Sequence, residues 1–103
     1  SEINNPKVTL PKVSSDCTTH SWHVFCLQVD DRKSFESLMS SKGIPTIIHY
    51  PIPINKTKIF DSTDIVHSTK NTFESMDKII SIPIHPFLSD EEVELIINTV
   101  NSY

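Results

Sequence analysis

Apolar and polar positions along this chain change period several times, and each change marks an element. From Trp22 to Val29 the side chains alternate: Trp22, Val24 and Cys26 fall on one face of an extended ribbon, and His23, Phe25, Leu27 and Val29 on the other. Both faces are largely apolar, which predicts a central strand. The period then lengthens. Phe35, Leu38 and Met39 stand at i, i+3 and i+4, the stripe of an amphipathic helix. Asp30 or Asp31 is placed to cap its start, Lys42 sits in its last turn, and Gly43, the only glycine, stands where a left-handed residue ends a helix. Thr46 to Tyr50 is a β-branched run that reads as a second strand. Pro51 and Pro53 have no N–H to donate, so they stop it.

Residues 51–67 keep no period and read as an irregular excursion with a helical turn near Ile59 and Phe60. Ser68 to Lys78 predicts a second helix, with Phe73, Met76 and Ile80 as a core stripe. Ile79 to Ile84 alternates into a third strand. Ser89 and Glu92 have the spacing of a capping box, and Val93, Ile96, Ile97 and Val100 follow at helical intervals. The order predicts an α/β fold: a small two-layer domain, with a three- or four-stranded sheet and about three helices. Residues 1–19 are polar, Pro-containing and aperiodic, and read as a linker; 20–103 is the folded unit.

Composition narrows the function. A chain of 103 residues is one domain; at this size it buries roughly 60–70% of its unfolded surface, enough for one modest core. That is too little to enclose a large cofactor and supply a full catalytic apparatus. The formal net charge is −4, and the basic residues are scattered, so nothing predicts a nucleic-acid footprint. No apolar run approaches the ~18 residues of a membrane span, and no signal-peptide core is visible. Cys17 and Cys26 lack metal or redox spacing; Cys26 reads as a small buried hydrophobe, and the expected compartment is the cytoplasm.

Candidate chemistry gathers at His49 and Tyr50, two hydrogen-bonding rings at the carboxyl end of the isoleucine run, expected on opposite faces. From physics alone, such a pair is more often packed than liganding. His20 and His23 have His-x-x-His spacing without further ligands, so no metal site is predicted and His23 reads as a packed ring. His85 reads as a turn residue. Asp90, Glu91 and Glu92 sit in the first turn of a helix, where the dipole favours negative charge, so they are not read as catalytic carboxylates. Asn55-Lys56-Thr57 matches a glycosylation acceptor, a pattern common by chance. No nucleophile motif, P-loop or dinucleotide fingerprint is present.

Three segments also carry a resemblance. Gly43-Ile44-Pro45-Thr46-Ile47-Ile48-His49-Tyr50-Pro51-Ile52-Pro53 resembles a signature of the C-terminal small domain of PLP-dependent sugar-nucleotide aminotransferases (the DegT/DnrJ/StrS type). His20-Ser21-Trp22-His23-Val24-Phe25 resembles the first strand of that domain, and Ser81 to Val93 its closing strand, Pro-rich turn and last helix. The three are in order, from about Val8 to the end. The resemblance implies the small domain of the fold-type I aspartate aminotransferase superfamily, joined to an N-terminal large domain outside this sequence. That large domain would hold pyridoxal 5′-phosphate and its Schiff-base lysine; none of the lysines here lies in the family's motif. The whole protein would move an amino group from an amino acid, usually glutamate, to a nucleotide-linked keto-sugar. Its products would feed lipopolysaccharide, other surface-polysaccharide or deoxyamino-sugar synthesis, and it would act as a homodimer. The resemblance places His49, and less directly Tyr50, beside the substrate; it gives His85 a part in shaping the domain. This segment alone is expected to bind no cofactor, contribute no catalytic residue and have no activity. Two departures stand out: Asn55 where a histidine is frequent, and Phe60 near a frequent tyrosine. Two other readings stay open, a small metabolite-binding regulatory domain and an interaction module with no small-molecule site.

Overall fold

In a computed structural model, described over residues 2–13, 20–58 and 69–103, the chain forms a three-stranded sheet with its two longer helices packed on one face. The strands are β1 (Val8–Thr9), β2 (Phe25–Val29) and β3 (Ile79–Ile82), in the order β1-β2-β3, and both pairings are antiparallel. The main helices are α1 (Arg32–Ser41) and α3 (Asp90–Ser102); α2 (Lys70–Ser75) is short, and Ile54–Lys56 makes one 3-10 turn. β2 is central, but only one of its faces is apolar throughout: Phe25, Leu27 and Val29 face the core, and the other face carries Cys26 and exposed Gln28. The strand starts later than the alternation predicts, because Trp22 has a φ of 44° and so cannot continue an extended ribbon. Cys26 is half-buried, not enclosed.

The register explains the core. Val8 faces Val29, Leu27 faces Ile80, and Phe25 faces Ile82. Val8, Leu27, Val29, Ile80 and Ile82 pack with Phe35 and Met39 of α1 and with Ile96 and Val100 of α3. Burying each such large apolar side chain contributes about 1.5–3 kcal/mol. Asp31 caps α1 by accepting from the Ser34 N–H, and Gly43 leaves the helix with a φ of 72°. The capping box of α3 is complete: Ser89 accepts from the Glu92 N–H, and Glu92 accepts from the Ser89 N–H. The Tyr103 hydroxyl donates to the Asp31 carbonyl and accepts from the Asp31 N–H, joining the end of α3 to the start of α1.

Four expectations change. Thr46 to Tyr50 is not a strand; only Ile47 pairs, exchanging two backbone hydrogen bonds with Ser81. On the N-terminal side, that register would set Pro45 opposite Pro83, and neither has an N–H to share, so the pairing cannot extend in that direction. The Phe73–Met76–Ile80 stripe is not one core face, because α2 ends at Ser75. Ile80 is buried in β3, whereas Phe73 is exposed beneath the Lys56 ammonium, 4.8 Å from the ring centroid. In the last helix, Ile96 and Val100 are buried, but Val93 is exposed. Within the aperiodic first stretch, Val8–Thr9 pair with β2, and Asn4 and Asn5 bond to Asn101 and Val100 of α3. The turn expected near Ile59 and Phe60 lies outside the described residues. Among the described residues, no helix is long and apolar enough to cross a membrane.

Candidate functional site

α1 and α3 cover one sheet face; the site lies on the other, where α2 residues border it. Strand alternation sends Ile80 and Ile82 into the core and turns Ser81 the opposite way. The Ile47 bridge lays residues 44–50 alongside β3, which brings the His49 ring over Ser81. His49 Nδ1 and Ser81 Oγ are 3.0 Å apart. Ser81 is nearly enclosed, whereas His49 is half-buried. Its Nε2 has no hydrogen-bond partner among the described residues.

His49 stands between two depressions. The larger, about 340 Å³, is bordered by Ile47, Ser81 and Pro83 and by three histidines, His23, His49 and His85. The smaller, about 210 Å³, lies between His49, Tyr50, Met76 and Ile79. Tyr50 is 74% exposed. The two rings do not diverge to opposite faces as a regular strand would require. They meet edge to face, with centroids 5.8 Å apart and planes at 88°. Both therefore reach the same rim, one fixed by a hydrogen bond and the other free toward solvent.

His23 and His85 complete this rim, and reasoning from the sequence gave neither a site role. They lie in three separate segments with His49, and no local spacing connects them. His85 does also serve a turn, since its Nδ1 accepts from the Phe87 N–H. His20 is apart, its ring against Trp22 with centroids 4.0 Å apart. Asn55, in place of the frequent histidine, donates to the Thr69 hydroxyl. Asp90, Glu91 and Glu92 occupy the first turn of α3; hydrogen bonds from the Glu91 backbone N–H and from Ser89 hold the Glu91 carboxyl below its ordinary value.

The cleft can receive a polar ligand on imidazole and hydroxyl groups above an apolar floor. It does not offer what pyridoxal phosphate needs. Every lysine is exposed and none borders the cleft. α1 begins at Asp31 and α3 at three acids, so neither N-terminus suits a cofactor phosphate.

The model of the DegT/DnrJ/EryC1/StrS aminotransferase family matches residues 2–101. The chain is 37% identical over 101 residues to the dTDP-3-amino-3,6-dideoxy-alpha-D-galactopyranose transaminase of Aneurinibacillus thermoaerophilus, covering 98% of this chain and 27% of that protein. It is 30% identical over 76 residues to the UDP-2-acetamido-2-deoxy-3-oxo-D-glucuronate aminotransferase of Pseudomonas aeruginosa, covering 70% of this chain and 20% of that one. Among solved structures, S. venezuelae DesV in complex with a ketimine intermediate superposes with a TM-score of 0.81 at 26% identity, over 94% of this chain and 26% of that one. The chain thus spans about a quarter of the length of these proteins.

Proposed function

Since the chain belongs to the DegT/DnrJ/EryC1/StrS aminotransferase family, whose members depend on pyridoxal phosphate, we propose that it is the C-terminal domain of a sugar-nucleotide aminotransferase. The whole protein moves an amino group from an amino acid, with glutamate as donor, to a keto-sugar carried on a nucleoside diphosphate. It acts in the cytoplasm as a homodimer and supplies surface-polysaccharide or deoxyamino-sugar synthesis. The 37% identity to a dTDP-sugar transaminase, continuous over nearly the whole chain, carries this reading.

The cofactor, bound elsewhere in the protein, would supply the electron sink for amino transfer. The described residues contribute no amine and no phosphate seat to it, so no reaction step is assigned to them. Their task is recognition. His49 offers Nε2 to an oxygen of the sugar nucleotide, and Tyr50 offers a phenol beside it. The apolar side chains beside the three histidines leave the imidazoles and hydroxyls as the polar groups of the cleft. The segment by itself binds no cofactor and turns nothing over.

A purely non-catalytic interaction module is the second reading, favoured by the exposed run of Ile47, Tyr50, Ile52 and Ile54. The coding sequence upstream of Ser1 separates the two: a large domain with a Schiff-base lysine supports the enzyme, and its absence overturns it. The site assignment is tested by His49→Ala in the full-length protein. Loss of one hydrogen bond to a charged or polar ligand atom predicts about tenfold or more weakening for the sugar nucleotide, with the cofactor's absorption spectrum and content unchanged. Parallel loss of cofactor and turnover would show that His49 serves folding.

A further inference from the structure

The Ser81 hydroxyl is the more enclosed partner of the His49 hydrogen bond. Ser81 is only 5% exposed, and its backbone is held on both sides. It pairs with Cys26 in β2, donates its N–H to the Ile47 carbonyl at 2.8 Å, and accepts from the Ile47 N–H at 3.1 Å. The hydroxyl therefore has a nearly fixed origin. Among the described residues its only hydrogen-bond partner is His49 Nδ1, at 3.0 Å.

A buried hydroxyl that leaves its proton without an acceptor loses free energy, whereas an unused lone pair costs less. No carbonyl or carboxylate oxygen among the described residues takes that proton. The balance favours O–H donation to Nδ1. A neutral imidazole that accepts at Nδ1 carries its own proton at Nε2. Nε2 is also the nitrogen with no protein partner among the described residues. The ring is thereby presented as a donor, suited to phosphate, carbonyl or hydroxyl oxygens and unsuited to an N–H.

We propose that Ser81 is a positioning residue that holds His49 in the Nε2–H form and so makes the rim an oxygen-selective hydrogen-bond donor. This rests on the reading of His49 as a sugar-nucleotide contact, but its immediate consequence, the place of a proton, is measurable without substrate. Two neighbouring observations fit. No carboxylate borders the larger cleft among the described residues, so nothing competes with Ser81 for the imidazole. The bridge at Ile47, two residues before His49, sets the distance over which the ring must reach.

The test uses the full-length protein with histidine labelled by ¹⁵N, His49 being assigned by its disappearance in His49→Ala. In the unaltered protein, the His49 nitrogen shifts should report a pyridine-type Nδ1 and a protonated Nε2. In Ser81→Ala, which keeps the backbone bridge, the ring should shift toward a mixture of tautomers. The apparent affinity for dTDP-3-amino-3,6-dideoxy-α-D-galactopyranose, followed through the cofactor absorption change on mixing, should weaken about two- to tenfold, as expected for one neutral hydrogen bond. Ser81→Thr, which keeps the hydroxyl, should restore the tautomer. A protonated Nδ1 in the unaltered protein, or an unchanged tautomer in Ser81→Ala, overturns the proposal. If His49→Ala leaves sugar-nucleotide affinity intact while the tautomer follows Ser81, the substrate reading fails and the positioning role of Ser81 stands.

Discussion

The two faces of the sheet solve different problems. On the helix side, Leu27, Phe35, Met39, Ile80 and Val100 are fully enclosed, and caps at Asp31 and Ser89 satisfy the helix starts. On the other side, Tyr50 is 74% exposed, and among the described residues Ile47 alone bridges to β3. The first face holds the domain together from within its own sequence. The second leaves apolar side chains at the surface. The rim is open, yet its anchor, Ser81, is nearly enclosed and held by backbone hydrogen bonds within the sheet.

Substitutions of contrasting kind sharpen that division. Phe35→Ala removes a fully enclosed ring that also meets Tyr103 edge to face, with centroids 5.1 Å apart. It should cost about 3–5 kcal/mol in urea unfolding. Ser89→Ala breaks the capping box of α3 and should cost about 1 kcal/mol by the same measurement. Ile52→Ser, at an exposed residue bordering the smaller depression, should change unfolding by no more than about 0.5 kcal/mol. A cost comparable with that of Phe35→Ala would mean the open face is part of the core and the contrast is false.

The smallest effect is on acidification. Glu91 has a lowered carboxyl pKa in the folded chain, against an ordinary value of 4.5. Its contribution is fully present above that ordinary value. It disappears as pH falls through the lower folded value, because the unfolded chain then binds the proton first. Unfolding midpoints of the unaltered protein should therefore fall slightly more between neutral and acid pH than those of Glu91→Gln. Equal slopes would leave Glu91 with no part in the cap.

What could be read from the residues divides along the same line. α3 was legible because Ser89, Glu92, Ile96 and Val100 state its start and its buried stripe locally. The end of α1 was legible because Gly43 takes a φ that other residues avoid. The central place of β2 was expected, but the second apolar face it was read from lay in Trp22 and Val24, outside the strand. The fate of residues 46–50 was not, because β-branched residues favour strands in general, while pairing here depends on which residue lies across the gap. β1 escaped notice since two residues have no period; distant bonds from Asn4 and Asn5 to α3 hold it in place. His49 and Tyr50 stood out as polar rings ending an apolar run. Ser81, His23 and His85 could not be joined to them, because only the tertiary register brings those segments together.

The prolines at 45 and 83, which flank the Ile47 bridge, have a consequence beyond shaping the cleft. A sheet border with free amides invites stray strands from other molecules to zip on and seed aggregates. Here two pyrrolidine rings occupy the next rung, so any intruder would find no ladder to climb in that direction. The exposed apolar rim thus sits beside a border that is poor at recruiting stray strands in that direction.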